Sequence, residues 1–395
     1  MADLRIGVIG TGGRGSLAKY AHQPAEGTAV VAGADILPAV GKPFRDFYGA
    51  EAFFTADYKE LLNRDLDAIF VTSPDFCHEE HALATLNAGI SVYLEKPMAI
   101  TIAGCDRILE AARRTGAKLY LGHNMRHFAS VRKMKQLIDT GAIGEVKTGW
   151  CRHFIGYGGD AYFKDWHADR TKSTGLLLQK GAHDIDVLHW LCGGYTRRVV
   201  AMGAQTLYHQ ITDRHSPESG GSASWSNDHW PPLSQKQLHP VLDVEDLNMM
   251  LMELDNGVFC SYQQCHYTPD AWRNYTIIGS EGRIENFGDS GCCNVKLWNK
   301  RRDGFIEANQ TFELEPEEGG HGGADDKIVA EFIRFLREGI ATSTSPVAAR
   351  YSVAAGCMAT QSLRDGSRPK DIPPLPPLLE DYFVKGQQPA VAMEK

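Results

Sequence analysis

The sequence predicts an α/β fold in which a doubly wound parallel sheet is followed by an α+β domain with a large, open, mostly antiparallel sheet. In residues 1–122, short apolar runs alternate with helix-length amphipathic stretches, as buried parallel strands and their crossover helices do. From about Gly144 onward, longer segments alternate apolar with polar residues and meet at turn sequences such as Asp255-Asn256-Gly257. The length of 395 residues suits two domains.

The predicted elements follow this division. In the first domain the apolar runs predict strands at 5–9, 28–34, 66–72, 91–94 and 118–121, with helices at 78–88 and 102–114. In the second domain the patterns predict strands at 146–154, 241–254, 257–266, 274–278 and 282–287, and helices at 181–191, 325–338 and 348–363.

The predicted boundaries give a first domain at 1–122, a second at 123–367 and a proline-rich tail at 368–395. The run Pro373-Pro374-Leu375-Pro376-Pro377 predicts that the tail is neither helix nor central strand, because proline donates no backbone hydrogen bond. Residues 216–240 are rich in Ser, Gly, Pro, His and Trp and predict an inserted loop that could border a pocket.

Composition argues against several classes of protein. The formal net charge of −8 disfavours a nucleic-acid partner held by a broad basic face. No uninterrupted apolar run approaches the roughly 18 residues of a membrane span, so no membrane partner is expected. A strand pattern begins at the start of the sequence, so no signal peptide is expected. Nine cysteines without a repeated framework predict free thiols in a reducing, cytoplasmic compartment.

The first predicted strand runs into a complete G-x-G-x-x-G, Gly10-Thr11-Gly12-Gly13-Arg14-Gly15, with helix-compatible residues after it. In such a motif the first glycine permits a tight turn, the second lets a pyrophosphate approach the backbone, and the third lets helix and strand pack closely. The phosphates would lie at the N-terminus of the following helix. Its place between a strand and a helix makes this a strong dinucleotide-binding signal.

Asp35 stands at the end of the second predicted strand, twenty residues after the glycine motif. A carboxylate there accepts hydrogen bonds from both ribose hydroxyls and repels a 2′-phosphate, which favours NAD over NADP. Arg14 and Lys42 are close enough in sequence to weaken that preference.

Two further motifs end the next strands. The third strand ends in Thr72-Ser73-Pro74, with His78 opening the following helix, and the fourth ends in Glu95-Lys96-Pro97. Together with the glycine motif, this Glu-Lys-Pro resembles the Gfo/Idh/MocA family of sugar and cyclitol oxidoreductases. The resemblance covers most of the chain, including residues 122–126, 141–144 and 180–186. It implies an N-terminal Rossmann domain and a C-terminal α/β domain whose open sheet forms a homo-oligomer interface, in a dimer or a tetramer.

The resemblance also implies which residues act. The family's active-site lysine falls on Lys96, where Pro97 often follows a cis peptide bond, and its catalytic histidine falls on His183. Oxidising a secondary alcohol needs a base for the hydroxyl proton and a cation beside the developing alkoxide. His183 suits the first role and Lys96 suits either. The residues implied for NAD binding are Gly10, Gly12, Gly13, Arg14, Gly15, Asp35, Thr72, Ser73, Pro74, His78, Glu95, Lys96 and Pro97.

One position departs from the family pattern. Many dehydrogenase members carry an aspartate four residues before the histidine, and Gln179 stands there in this chain, which puts an Asp–His relay in question. Gln179, His183 and Asp186 follow i, i+4 and i+7 spacing and would share one face of a helix. Asp184 would point elsewhere, where a solvated or capping acid is an equal interpretation.

A polar and aromatic stretch flanks the predicted domain junction. Such mixtures bind sugars, with aromatic faces against C–H groups and charged groups on hydroxyls, although a solvated loop has the same composition. The cations could also bind an anionic substituent. His321-Gly322-Gly323 either reaches the pocket or opens an ordinary helix capped by Asp325. The expected substrate-binding residues are Asn124, Arg126, Arg152, Tyr157, Tyr162, Trp166, His167, Arg170, Lys172, Gln179, Lys180 and Asp186.

No metal site is expected. His78-Glu79-Glu80-His81 is one residue short of H-E-x-x-H, and Cys260 and Cys265 would face opposite sides of a strand. The leading hypothesis is an NAD-dependent oxidoreductase acting on a ring secondary alcohol of a sugar, glycoside or cyclitol. The alternative is an NAD-dependent glycoside hydrolase that oxidises carbon 3 transiently, eliminates the aglycone, adds water and returns the hydride. A third hypothesis is a non-catalytic NAD and sugar sensor.

Overall fold

Two sheets, each packed against its own helices, organise the chain in a computed structural model. The structure describes residues 3–216, 229–289, 292–301, 303–304, 306–315 and 317–387. The described parts of Met1–Asn124, Gly319–Arg350 and Pro374–Lys395 form one compact unit, and those of Met125–Glu318 and Tyr351–Pro373 form the second. The chain therefore returns to the first unit twice. Residues 217–228 of the predicted loop at 216–240 lie outside the described residues.

The first sheet is parallel throughout, as predicted. Its strand order, β3-β2-β1-β4-β5-β6, is that of a Rossmann sheet. The strands are β1 (Leu4–Ile9), β2 (Thr28–Ala34), β3 (Phe53–Thr55), β4 (Ala68–Val71), β5 (Ser91–Leu94) and β6 (Leu119–Leu121). Strand β3 is not among the strands predicted from the sequence, because its three half-buried residues at the edge of the sheet form no continuous apolar run.

The α-helices of the described residues are numbered along the chain. They are α1 (Gly41–Tyr48), α2 (His78–Asn87), α3 (Ile102–Thr115), α4 (Ala129–Asp139), α5 (Gly158–Tyr162), α6 (Arg170–Ser173), α7 (Leu176–Gln179), α8 (Gly181–Cys192), α9 (Ala324–Glu338), α10 (Pro346–Arg364) and α11 (Pro377–Val384). A 3-10 helix, Gly13–Ala21, begins within the glycine motif. In α9, Phe332 packs 5.4–5.5 Å from the ring centres of Phe70, Tyr93 and Tyr120, which joins this late helix to the core of the first sheet.

The second sheet is mixed and mostly antiparallel, as predicted. Its order is β14-β13-β12-β11-β7-β10-β9-β8-β15, and β7 pairs with β10 in parallel. The strands are β7 (Val146–Phe154), β8 (Thr196–Ala204), β9 (Leu247–Leu254), β10 (Phe259–Cys265), β11 (Trp272–Gly279), β12 (Arg283–Phe287), β13 (Cys293–Trp298), β14 (Gln310–Leu314) and β15 (Lys370–Asp371). Helix α8 packs against β7 and β10 on one face of the sheet.

Two predictions for this region need correction. The strand expected at 241–254 begins only at Leu247, because the buried Asp246 carboxylate accepts the backbone N–H groups of Thr206, Leu207 and Tyr208. The tail expected to hold no helix contains α11. Pro377 is its first residue, where the missing N–H of proline costs no helical hydrogen bond.

The end of the described tail closes one edge of the first sheet. β6 is the last strand of that sheet, so one side of it has no neighbouring strand. The side-chain amide of Gln387 takes that place: its Oε1 accepts the N–H of Leu119 and its Nε2 donates to the Leu119 carbonyl, both at 2.8 Å. A side chain thus makes the pair of bonds that a further strand would make.

Candidate active site

The glycine-rich turn of the first unit is shaped by two close approaches. Gly10 has φ +86°, and a Cβ there would lie 2.7 Å from the backbone nitrogen of Ser73. A Cβ on Gly15 would lie 2.2 Å from the carbonyl oxygen of Gly10. The Thr72 hydroxyl donates to the same carbonyl at 2.8 Å. Only glycine fits at these two positions, so the loop is held tightly over the end of β4.

The outer part of the same turn is open, as a nucleotide site requires. A Cβ on Gly13 would meet nothing within 4 Å, and one on Gly12 would come no closer than 3.8 Å, to Asp35. Asp35 Oδ2 accepts the N–H of Gly12 at 3.2 Å, and Oδ1 accepts the N–H of Leu37 at 2.9 Å. The acid therefore stands beside the turn at the end of β2. These residues fit the ribose and phosphates of NAD.

Arg14 does not extend toward Asp35. Its guanidinium binds the carboxylates of Glu95 and Asp325, at 2.7–2.9 Å. Lys42, the other cation near the motif, pairs with Asp46 at the exposed surface. Both side chains are thus engaged by carboxylates, and a 2′-phosphate would have to compete for them.

The strand-end motifs are fixed by His78. This buried histidine contacts the carbonyl oxygen of Pro97 through Nδ1 at 2.7 Å and that of Ser73 through Nε2 at 2.8 Å. The Lys96–Pro97 peptide bond is cis, as the resemblance implied. Lys96 itself is partly exposed. His78, expected among the NAD-binding residues, joins the two segments that follow β4 and β5.

Asp325 does not cap α9. The residue before the helix is Gly323, which has no side chain to do so, and Asp325 lies in the first turn. Its carboxylate accepts from Arg14, from His321 Nδ1 at 2.9 Å and from Asn124 Nδ2 at 3.2 Å. Burial alone would raise the pKa of Asp325, but the hydrogen bonds from His321 and Arg14 outweigh it and hold that pKa well below its ordinary value.

In the second unit, α8 carries a buried carboxylate at Asp184. It is completely inaccessible and accepts hydrogen bonds from His153 Nδ1 at 2.9 Å and Tyr262 at 2.8 Å. Tyr275 bonds to it as well, and Arg273 Nε lies 3.0 Å away. The interpretation of Asp184 as a solvated or capping acid is wrong, because strands β7, β10 and β11 surround it with donors.

The charges of this cluster are settled by burial. Burial lowers the pKa of His153 to about 4, and nearby Arg273 adds to the effect, so the imidazole is neutral. Arg273 is therefore the counter-ion of Asp184, and its other partner is Asp289 at 2.9 Å. Burial would raise the pKa of Asp184, but these charges and hydrogen bonds hold it well below its usual range. The cluster anchors α8 to the sheet.

The expected helical face is realised only in part. Gln179 ends α7 and Lys180 separates it from α8, while Gln179 and Asp186 are buried. Asp186 binds the Arg126 guanidinium through both oxygens at 2.7 Å. His183 is partly exposed, whereas the other ionisable side chains of α8 are buried.

An aromatic group lies beside Lys180. The Lys180 ammonium is 5.4 Å from the ring centre of Tyr162 and 6.0 Å from that of Tyr157. Tyr162 meets the ring of His167 edge-on at 5.4 Å, and Trp166 stacks on His167 at 3.8 Å. Five of the expected substrate-binding residues are thus neighbours.

Other expected substrate-binding residues lie elsewhere. Arg170 binds Asp243 at the exposed surface, and Lys172 is partly exposed on α6. Arg152 lies on the open face of the second sheet, opposite the face that α8 covers, and bonds to Asn274. Asn124 is in the first unit with Asp325.

The described residues hold neither a cluster of metal ligands nor a membrane-spanning helix. No group of three or more His, Cys, Asp or Glu side chains there could hold a metal ion. Within the same residues, every helix is too short or too polar to cross a membrane. All nine cysteines are described and are free thiols.

Comparison with known proteins supplies the class. Residues 4–123 match the family model described as an oxidoreductase family with an NAD-binding Rossmann fold, and residues 135–370 match the model for its C-terminal alpha/beta domain. Inositol 2-dehydrogenase from Azotobacter vinelandii is 37% identical over 191 residues, 48% of this chain and 54% of that protein. The enzyme of that name from Klebsiella pneumoniae subsp. pneumoniae is 35% identical over 219 residues, 55% of this chain and 62% of that protein.

The match therefore spans between half and two thirds of the length of these curated relatives. A solved structure of levoglucosan dehydrogenase with NADH and levoglucosan superposes with a TM-score of 0.76 over 94% of this chain and 100% of that one. At 18% identity this likeness shows the shared fold.

A Rossmann unit with an open glycine turn and an acid at the end of β2 defines a dinucleotide-binding protein. The two family matches agree with that class over most of the chain. The chain belongs to the Gfo/Idh/MocA oxidoreductase family, and its cofactor is NAD.

Proposed function

We propose that this oxidoreductase acts on a ring secondary alcohol of a sugar or cyclitol, with Lys96 and His183 as its catalytic residues. Among the acidic and histidine side chains of α8, all of which are described, His183 alone is not buried. This observation carries the proposal, since a general base must reach the hydroxyl proton that it removes. The inositol 2-dehydrogenases among the relatives support a polyhydroxylated ring as substrate.

The chain's residues would divide the work. When bound, the nicotinamide ring supplies the acceptor and donor of the hydride. Gly12, Gly13 and Asp35 would hold the nucleotide through backbone N–H groups and a carboxylate. His183 and Lys96 would take the hydroxyl proton and stabilise negative charge on the oxygen.

The aromatic group around Lys180 would contact the substrate. Tyr162 and Trp166 offer ring faces for C–H groups, and the ammonium offers donors to hydroxyl oxygens. The buried pair Arg126–Asp186 would hold α8, the helix that carries His183, because the two side chains are bonded to each other.

We also propose a cytoplasmic homo-oligomer. The free state of all nine cysteines supports a reducing compartment. The open face of the second sheet exposes Met202, Met249, Leu251 and Phe259, which are 45–67% accessible. A second copy covering this face would remove that apolar surface from water.

The test is a substrate panel. Purified protein with NAD would be mixed with cyclitols, free sugars and aryl glycosides, while NADH and released aglycone are followed together. NADH formation with a cyclitol or sugar supports the proposal. Aglycone release at constant NADH would show redox-neutral glycoside hydrolysis instead. Tight NAD binding without either product would show a sensor.

A further inference from the structure

The side chain of Arg14 joins three segments of the first unit that are distant in sequence. Its Nε donates to Glu95 Oε1 at 2.8 Å, in the segment after β5. Its Nη1 and Nη2 donate to the two oxygens of Asp325 at 2.7 and 2.9 Å, in the first turn of α9. Arg14 itself belongs to the glycine-rich turn. One guanidinium therefore links the nucleotide loop to both segments.

The second oxygen of Glu95 extends this link to Lys96. Glu95 Oε2 accepts the backbone N–H of Lys96 at 3.1 Å. Because Arg14 holds one carboxylate oxygen and Lys96 the other, the orientation of the carboxyl group is fixed at both ends. A Cβ on Gly122 would lie 3.1 Å from the Glu95 carboxyl carbon, so this side chain is also confined by the chain beside it.

The backbone after Lys96 is fixed independently. His78 contacts the Pro97 carbonyl oxygen at 2.7 Å, so the residues on either side of Lys96 are each held by a buried or half-buried side chain. The attachment through Glu95 leads to the glycine-rich turn by way of the Arg14 side chain. A change in that turn is thus transmitted to Lys96 through Arg14.

Lysine could not replace Arg14 here. Three N–H groups are used in a planar fork on two carboxylates, and an ammonium is a point charge on a flexible stem. The guanidinium serves two carboxylates, so loss of Arg14 would leave both Glu95 and Asp325 without that cation.

We propose that Arg14 is a positioning residue that sets the backbone at Lys96, and hence the direction of the Lys96 ammonium, through Glu95 and Asp325. The inference rests on the role of Lys96 in the proposed function. It also assigns the Arg14 side chain to the protein interior of this unit rather than to the cofactor.

The first test measures the backbone and needs no turnover. Hydrogen–deuterium exchange of the peptide that contains the Lys96 amide is compared in the wild type, Arg14→Lys, Arg14→Ala and the control Arg107→Ala. Arg107 forms an exposed ion pair with Glu79 in the same unit. Exchange at Lys96 should accelerate about tenfold or more in both Arg14 variants and stay unchanged in the control.

The second test measures catalysis on the substrate that the panel identifies. In Arg14→Lys, kcat should fall about 10–100-fold, since a small displacement of a reacting group costs this much. The Kd for NAD should change less than about threefold, because no ligand contact is removed. Added methylguanidinium should restore part of the kcat of Arg14→Ala.

Three results would overturn the inference: unchanged exchange at Lys96, a loss confined to NAD affinity, or absence of rescue together with a general loss of stability. Should Arg14→Ala not fold, Asp325→Asn removes the charge of the carboxylate that binds Nη1 and Nη2 of Arg14. The same exchange and rate measurements are then made on that variant. A wild type without turnover on the panel would contradict the proposed function, and exchange would still decide the position of Arg14.

Discussion

The Arg126 guanidinium and the Asp186 carboxylate form a bidentate ion pair in which Nε and Nη2 each lie 2.7 Å from a different oxygen. Both side chains are at least nine-tenths buried, and Trp190 of α8 lies 5.2 Å from the guanidinium carbon. The pair joins the segment after β6 to the middle of α8, one turn beyond His183. It therefore fixes the helix that presents the proposed base.

Breaking this pair should destabilise the second unit strongly. Arg126→Met would leave Asp186 charged and buried without its counter-ion, at a cost of about 3–5 kcal/mol. The double variant Arg126→Met/Asp186→Leu removes both charges and should recover most of this loss. Urea unfolding followed by tryptophan fluorescence measures both. An Arg126→Met variant as stable as the wild type would show that the pair contributes nothing.

Acid should weaken the fold through His189. Burial lowers the pKa of His189 to about 4, and its Nε2 accepts the N–H of Thr196 at 3.1 Å. As pH falls below about 6.5, His189 becomes protonated in the unfolded chain but stays neutral in the folded chain. The free energy of unfolding therefore declines toward pH 4. Between about pH 7.5 and 5, His189 should lower the free energy of unfolding by about 2 kcal/mol.

The variant His189→Gln should flatten that decline by the same amount. Unfolding free energies at several pH values would be compared with those of the wild type and of His209→Gln, at an exposed position. An equal slope in wild type and His189→Gln would refute the assignment.

Replacing Asp35 should change the choice of nucleotide. Asp35→Ser removes the carboxylate beside Gly12 and with it the repulsion of a 2′-phosphate, so the NAD-to-NADP affinity ratio should fall about tenfold. Both cofactors are titrated by quenching of protein fluorescence. Asp65→Ser, which replaces an exposed acid of the same unit, is the matched control. A ratio that does not move would exclude Asp35 from the ribose site.

Lys96→Ala and His183→Ala should fold and bind NAD yet lose most turnover. Removing a positioned acid or base costs on the order of a hundredfold to ten-thousandfold in rate. Turnover on the panel substrate and NAD titration are measured together, with the exposed Lys59→Ala and His209→Ala as controls. Full activity in either variant would remove that residue from the mechanism.

The first unit was predictable because its signals are local. A glycine motif between an apolar run and a helix, and an acid twenty residues later, are read along a short stretch of chain. The exact bounds of β2 and β5 were predicted for the same reason. Strand β14, by contrast, was not predicted, because its sequence Gln-Thr-Phe-Glu-Leu is mostly polar and exposed and has no apolar run.

The surroundings of Asp184 and Asp325 could not be predicted. The donors to Asp184 come from β7, β10 and β11, 31–91 residues away, and Arg14 is 311 residues from Asp325. The spacing of residues along a helix does not distinguish an acid that faces water from one that faces strands distant in the sequence. The one local signal was the apolar sequence around Asp184, which is typical of a helix buried on most sides.

The Gln387 amide also determines what the chain could do if it were cut short. Without it, the outer side of β6 would present free N–H and C=O groups in a row, the template on which strands of other molecules add. A proteolytic cut a few residues before Gln387 would thus convert an orderly sheet margin into a point of self-association, with the nucleotide turn at the far end of the chain left intact.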